Sequence, residues 1–354
     1  MLATLAACTS APPPKPSGSI VRDQSRWIPV AWHELPGWKV DELQQAWPAL
    51  LRSCERSAPD WTAVCAKARQ ELPRSDAQAR DWLMRHLQPY RIETRDGAAG
   101  GLITGYYEPM LDARRTPAGP YRVALHSPPA DLATRRPYWT RQQLDTLPAA
   151  QASLRGREIA FVANPLDALV LHIQGSGRLR ITEPDGRVRS ARLAYAGNND
   201  QPYRSVGRWL IDQGQLQAGQ ASWPAIADWA KRNPGRVNEL LWANPRYVFF
   251  REEPLPDPAL GPRGAQGVPL TPGRSIAVDP KSVPYGTPVW IVTTEPLSNT
   301  PLRRLVLAQD TGSAIVGAVR ADFFWGWGGD AAEQAGRMRQ PLQMWALWPR
   351  KPGG

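Results

Sequence analysis

Apolar residues recur at helical spacing in two early stretches, 41–54 (DELQQAWPALLRSC) and 75–87 (SDAQARDWLMRHL), each opened by a capping-type residue. Residues 102–107 (LITGYY) then read as a short strand. From about 110 to 193 the pattern becomes short β-like runs broken by Pro and Gly, among them 158–163 (EIAFVA), 169–173 (LVLHI) and 178–182 (RLRIT). Between the last two, Gln174-Gly175-Ser176-Gly177 predicts a hairpin turn. Helical spacing returns at 203–213 and 222–231, where Ser222 and Pro224 suit a cap and a first turn. The last third is β-like at 275–278, 288–293, 303–309 and 344–348, with one helix-like piece at 330–338. This order of helix, β, helix, β fits a β domain inserted into another domain better than two consecutive domains.

Composition sharpens that picture. At 354 residues, with 42% hydrophobic and 21% charged residues, the chain can hold two globular domains with real cores. Its 37 prolines fall within strand- and turn-like segments and mark a loop-rich β protein. The 16 tryptophans have two readings, as rings stacking on sugar faces or as large core residues. The net charge of +11 favours a polyanion, whether nucleic acid, an anionic membrane or a carboxylate-bearing wall polymer. Arg is spread along the whole length with no dense basic run and no zinc-finger spacing, so nucleic acid is not an expected partner.

The first residues, MLATLAAC, carry Leu5-Ala6-Ala7-Cys8 in the form of a bacterial lipobox, which makes Cys8 the expected lipidation site. Only seven residues precede it and none is basic, so the signal peptide is abbreviated and the true start is expected upstream. The Pro/Ser-rich stretch 9–20 suits a tether holding a domain away from a membrane. With Cys8 lipidated, Cys54 and Cys65 remain, either as a disulfide in an oxidising periplasm or as two buried thiols.

There is no GxSxG elbow, HExxH, P-loop or GxGxxG after a strand, and the four histidines have no metal-ligand spacing. Neither metal nor cofactor is therefore expected, and carboxylates are left to carry the chemistry. The segment 305–329 (LVLAQDTGSAIVGAVRADFFWGWGG) delivers Asp310 from an apolar β run into a Thr-Gly-Ser turn. Asp322 follows after a second turn, beside Phe323, Phe324 and Trp325. A carboxyl among aromatics is where a raised pKa is expected, as a general acid requires. The competing reading is that Asp310 only closes its own turn through side-chain hydrogen bonds. GYYEP (105–109) offers two phenols and Glu108, and AGNNDQPYR (196–204) offers amides and Tyr203.

Taken together, GYYEP, HIQGSGRLR, YAGNNDQPYRSVGRWLID, NPRYVFFRE, GVPLTPGRSIAVDPKSVPYGTPVWI and AQDTGSAIVGAVRADFFWGWGGDAAEQAGRM resemble the membrane-bound lytic murein transglycosylase A family. The likeness runs from about Trp38 to Pro349, and the C-terminal part with Asp279, Asp310 and Asp322 is similar to the three-aspartate "3D" module. The resemblance implies a mainly β, α+β fold: a double-psi β-barrel from 25–108 plus 244–350, and a smaller β-barrel-like domain inserted at 109–243. A groove between them would hold a peptidoglycan glycan strand. It implies cleavage of the MurNAc–GlcNAc β-1,4 bond without water to give 1,6-anhydroMurNAc ends, with Asp310 as the catalytic carboxylate and Asp322 and Asp279 in support. Tyr107, Glu108, Gln174, Ser176 and Tyr203 are the expected groove-lining residues. The implied location is the periplasmic face of the outer membrane, anchored by lipid on Cys8, with proteins of a cell-wall synthesis complex as further partners. Two other readings stay open at this point. One is a lysozyme-like hydrolase pairing Asp310 with Glu108 or Asp322; the other is an expansin-like lipoprotein that binds the wall without cutting it.

Overall fold

A computed structural model of the chain describes residues 18–350 apart from residue 297. The expected lipidation site Cys8 and most of the tether therefore lie outside the described residues. In chain order the described part begins with β1 (Ile20–Val21) and β2 (Arg26–Pro29), then α1 (Trp47–Glu55), α2 (Thr62–Gln70) and α3 (Asp76–His86), then β3 (Leu87–Glu93) and β4 (Gly101–Glu108). A second block follows: β5 (Met110–Arg114), β6 (Val123–His126), α4 (Arg141–Thr146), α5 (Pro148–Leu154), β7 (Glu158–Val162), α6 (Pro165–Gln174), β8 (Gly177–Thr182) and β9 (Val188–Asn198). It ends with α7 (Val206–Asp212), α8 (Trp223–Arg232), α9 (Val237–Trp242) and β10 (Val248–Pro254). The last block holds β11 (Ser275–Val278), β12 (Pro288–Thr294), β13 (Pro301–Asp310), β14 (Arg320–Trp327), α10 (Gly328–Arg337) and β15 (Arg339–Pro349).

The first and last blocks share one nine-stranded sheet, ordered β1-β2-β3-β15-β12-β13-β11-β14-β4. A further pairing of β15 with β4 closes six of these strands into a barrel, the double-psi barrel domain. The long strand β15 makes closure possible, because its start pairs with β4 (Arg339 opposite Thr104) while its end pairs with β3. Alternation along the strands sorts side chains between two cores. On β13, Val306 and Ala308 face the barrel interior beside Val289, Ile291 and Phe323. Leu305 and Leu307 point outward against Trp47, Trp82 and Trp290, under the layer made by α1 to α3. Ser75 caps α3 by accepting from the Gln78 N–H, as the capping pattern predicted.

The tryptophans resolve toward the core reading. Trp27, Trp38, Trp47, Trp61, Trp82, Trp229, Trp290 and Trp345 are all buried. Several meet edge to face, such as Trp47 with Trp82 at 4.9 Å between ring centroids. Cys54 on α1 and Cys65 on α2 form a disulfide.

The second block forms its own six-stranded sheet, ordered β10-β9-β8-β5-β7-β6, flanked by helices. Strand β10 pairs with β9 from Val248 to Pro254, so the inserted domain extends past the expected boundary at 243. A second correction concerns 169–173, expected as a strand before a hairpin. These residues lie in helix α6, whose Asn164 side chain accepts from the Leu166 N–H and whose first position is Pro165. The helix is sandwiched between two apolar clusters, with Ala168 and Leu171 in one and Leu166 and Leu169 in the other. A helix buried on both sides loses its amphipathic signature and reads as a continuous apolar run. The expected hairpin turn is instead its C-terminus, with Gly175 at φ 77°, a conformation costly for any residue with a Cβ.

Candidate active site

A groove of about 740 Å³ runs between the barrel and the inserted domain. Its barrel wall is built by strand register. Across the sheet, Ala277 of β11 pairs with Asp310 of β13 on one side and with Asp322 of β14 on the other. Asp322 in turn pairs with Thr104 of β4. Residues opposite one another in a ladder project to the same face, so two carboxyl groups flank a small alanine at the groove floor. All four of these residues line the groove.

Asp310 is held by neutral donors. The Tyr106 hydroxyl donates to Oδ2 at 2.9 Å and the Ala265 N–H donates to Oδ1 at 2.9 Å. No Lys, Arg or His among the described residues forms an ion pair with it. Burial pushes its pKa above the ordinary carboxylate value, and the hydrogen bonds from the Thr311 and Ala265 N–H groups and from Tyr106 only partly offset this. Asp322 accepts from the Thr104 hydroxyl, which itself accepts from Arg320 Nη2 at 2.9 Å. Burial raises the Asp322 pKa to about 6, against the pull of Thr104 and Arg320, and the neighbouring Asp310 adds to the rise. The Tyr106 phenol is likewise driven up by burial and by both aspartates, so it stays a proton donor.

Of the residues expected from sequence, Asp310, Asp322, Tyr107, Gln174 and Tyr203 all line the groove. Tyr107 and Gln174 join the two domains, the Tyr107 N–H donating to Gln174 Oε1 at 3.2 Å. Asp279 does not reach the groove. Its Oδ2 accepts from Gly317 N at 2.9 Å and its Oδ1 from Lys281 N at 3.0 Å, which pins the loop between β13 and β14. Ser176 is buried and does not line the groove.

Glu108 is the clearest correction. Expected to bind substrate, it is wholly buried and gripped by Arg178 Nε at 2.7 Å and Arg192 Nε at 2.6 Å. The same two arginines donate to the carbonyls of Pro258 and Leu260, and Arg178 stacks on Trp327 at 3.8 Å. Glu108 thus ties the end of β4 to β8, β9 and the returning chain.

Sequence reasoning missed Tyr106, Thr104, Ala265 and Arg320. Alternation on β4 puts Thr104 and Tyr106 on one face, but only the parallel pairing with β14 tells which face meets Asp310 and Asp322.

Fold and site together define a two-domain carboxylate enzyme whose open groove suits an extended polymer. Residues 102–251 match the family described as the MltA specific insert domain, and residues 274–348 match the 3D domain. Membrane-bound lytic murein transglycosylase A of Vibrio cholerae is 30% identical over 271 residues, covering 74% of this chain and 69% of that protein. Its Escherichia coli K12 counterpart is 30% identical over 288 residues, covering 78% and 74%. Among solved structures, the lytic transglycosylase LtgG of Burkholderia pseudomallei is 47% identical, with a TM-score of 0.64, over 95% of this chain and 100% of that one. MltA from Neisseria gonorrhoeae in its monoclinic form is 30% identical, with a TM-score of 0.79, over 95% and 96%. The chain belongs to the membrane-bound lytic murein transglycosylase A family.

Proposed function

We propose that this enzyme cleaves the MurNAc–GlcNAc β-1,4 bond of peptidoglycan glycan strands without water, with Asp310 as its single acid and base. The observation that carries this reading is the placement of Asp310 on the groove floor between neutral donors, with a raised pKa. A protonated Asp310 donates to the glycosidic oxygen as the bond to C1 breaks. The 6-hydroxyl of the same muramic ring attacks C1, and the Asp310 carboxylate takes that hydroxyl's proton. The nucleophile is tethered to the reacting ring, so no second residue is needed to position water. Hydrolytic glycosidases require that second carboxyl group. Glu108 is unsuited to supply it, being sealed by two arginines.

Asp322 serves as a supporting group, a carboxyl whose pKa burial raises to about 6 and which the Thr104 hydroxyl holds beside Asp310. Gln174 and Tyr203 contact the strand from the inserted domain, and Tyr107 contacts it from the junction of the two domains. We further propose anchoring at the periplasmic face of the outer membrane through lipid on Cys8, with cell-wall synthesis proteins as partners. No helix among the described residues is long and apolar enough to cross a membrane.

The test is mass spectrometry of fragments released from purified sacculi by the 9–354 protein and its Asp310→Asn variant. Anhydromuramic ends from the wild type alone are the expected result. Reducing ends would make it a hydrolase, and sacculus binding without soluble products would make it a wall-binding protein.

A further inference from the structure

Behind Asp310, on the side away from the groove, lies a buried polar cluster that the mechanism above does not use. Gln309, adjoining Asp310 on β13, is fully buried. Its Nε2 donates to the Ser53 hydroxyl at 2.8 Å and to the Ala49 carbonyl at 2.9 Å, and its Oε1 accepts from the Ser275 hydroxyl at 2.6 Å. Gln266, adjoining Ala265, is nearly as buried. Its Nε2 donates to the Ser53 carbonyl at 3.1 Å and its Oε1 accepts from the Ser53 hydroxyl at 3.2 Å. The two glutamines also meet through the backbone, the Gln266 N–H donating to the Gln309 carbonyl at 3.0 Å. The approach is close: a Cβ on Gly264 would come within 2.4 Å of that carbonyl oxygen.

One hydroxyl thus joins the residue next to the carboxylate with the residue next to the N–H that holds it. In both amides each side-chain nitrogen and oxygen has a partner, which makes a closed network that tolerates one arrangement. Ser53 sits beside Cys54, whose disulfide to Cys65 ties the end of α1 to α2. We propose that Ser53, Gln266 and Gln309 are positioning residues for Asp310, and that the Cys54–Cys65 disulfide completes the device by fixing the end of α1 that carries Ser53.

The inference rests on Asp310 being the acid. The Ala265 N–H favours the ionised carboxylate, so loosening it raises the Asp310 pKa and extends the active, protonated form to higher pH. The experiment measures the release of soluble fragments from glycan strands against pH for the wild type, Ser53→Ala and Gln266→Met. In each variant kcat falls roughly 10-fold with KM changed less than twofold, as expected for a misplaced catalytic group. The alkaline limb moves up by about half a pH unit, corresponding to roughly 0.7 kcal/mol. Reducing the wild-type disulfide with dithiothreitol moves the limb the same way.

Rates are divided by the folded fraction at each pH, read by circular dichroism, so partial unfolding of a variant does not obscure the limb. An unmoved limb in both variants overturns the positioning role, and an unmoved limb on reduction removes the disulfide from it. An active Asp310→Asn enzyme would instead sink the catalytic assignment beneath it.

Discussion

Two carboxylate sites lie within a few residues of each other along β4 and have different partners. At the groove floor, Asp310 and Asp322 face hydroxyls, two backbone N–H groups and each other, with Arg320 hydrogen-bonding to Thr104 and not to Asp322 itself. At the end of β4, Glu108 is wholly buried, away from the groove that Asp310 and Asp322 line, and takes two guanidinium groups directly. Burial without a counter-charge raises a carboxyl pKa, whereas a paired cation favours the charged form of a buried acid. The comparison teaches that the same kind of group, a carboxyl on or beside β4, is left to neutral donors at the groove and tied down by cations at the domain junction. The hydroxyl-bearing Thr104 and Tyr106 share β4 with Glu108, so one strand serves both sites.

The largest effect that probes this contrast is on the groove side. Asp310→Asn keeps the shape, turns one of the two accepting oxygens into an NH2 donor and cannot act as acid or base, and turnover should fall by at least about 1,000-fold. A variant within 10-fold of the wild type in muropeptide release would remove Asp310 from its role. On the other side, Glu108→Ala leaves two buried arginines without their anion and should cost on the order of 3–5 kcal/mol of stability. Chemical denaturation reads this directly; a loss below about 1 kcal/mol would mean the cluster is not the inter-domain clamp described here.

Asp322 predicts a pH signature of the opposite sign to a salt-bridged acid. Its folded pKa of about 6 lies above the ordinary carboxylate value of 3.8, so the folded state holds a proton that the unfolded state has released. Its contribution to stability is present below the ordinary value and is lost as pH rises through about 6, by at most about 3 kcal/mol. Thermal melts of the wild type and Asp322→Asn across pH 3.5 to 7 should therefore diverge in that window. Parallel curves would place Asp322 in a more solvated setting than the groove floor. The smallest effect is expected from Tyr106→Phe, which removes one of the donors to Asp310. A kcat loss of about 10-fold with KM held is expected from steady-state kinetics, and unchanged kcat would leave Ala265 as the donor that matters.

Much of this was legible in the chain. The strand pattern located β4, β7, β8, β11 to β13 and the end of β15, while β14 went unmarked, and the cap residues Ser75 and Ser222 opened helices where expected. Asp310 and Asp322 stood out because each ends or follows an apolar run beside glycines or aromatics. What escaped depended on pairing across long sequence distance. Glu108 looked like a site residue because nothing local announces Arg178 and Arg192 as its partners. The role of Tyr106 rests on the register of β4 against β14, and Ala265 acts through a backbone N–H that any residue but proline would supply. Helix α6 was misread because burial on both faces erased its period.

The closing seam of the barrel has a consequence for the order of assembly. Thr104 waits for Arg339, a partner near the end of the chain, whereas every strand of the inserted sheet lies between Met110 and Pro254. As the chain emerges in sequence, the insert can complete its own sheet while β4 still lacks both of its neighbours, β14 and β15. The inserted-domain wall of the groove can form first, and the wall that carries Asp310 and Asp322 is assembled only when the last strand arrives.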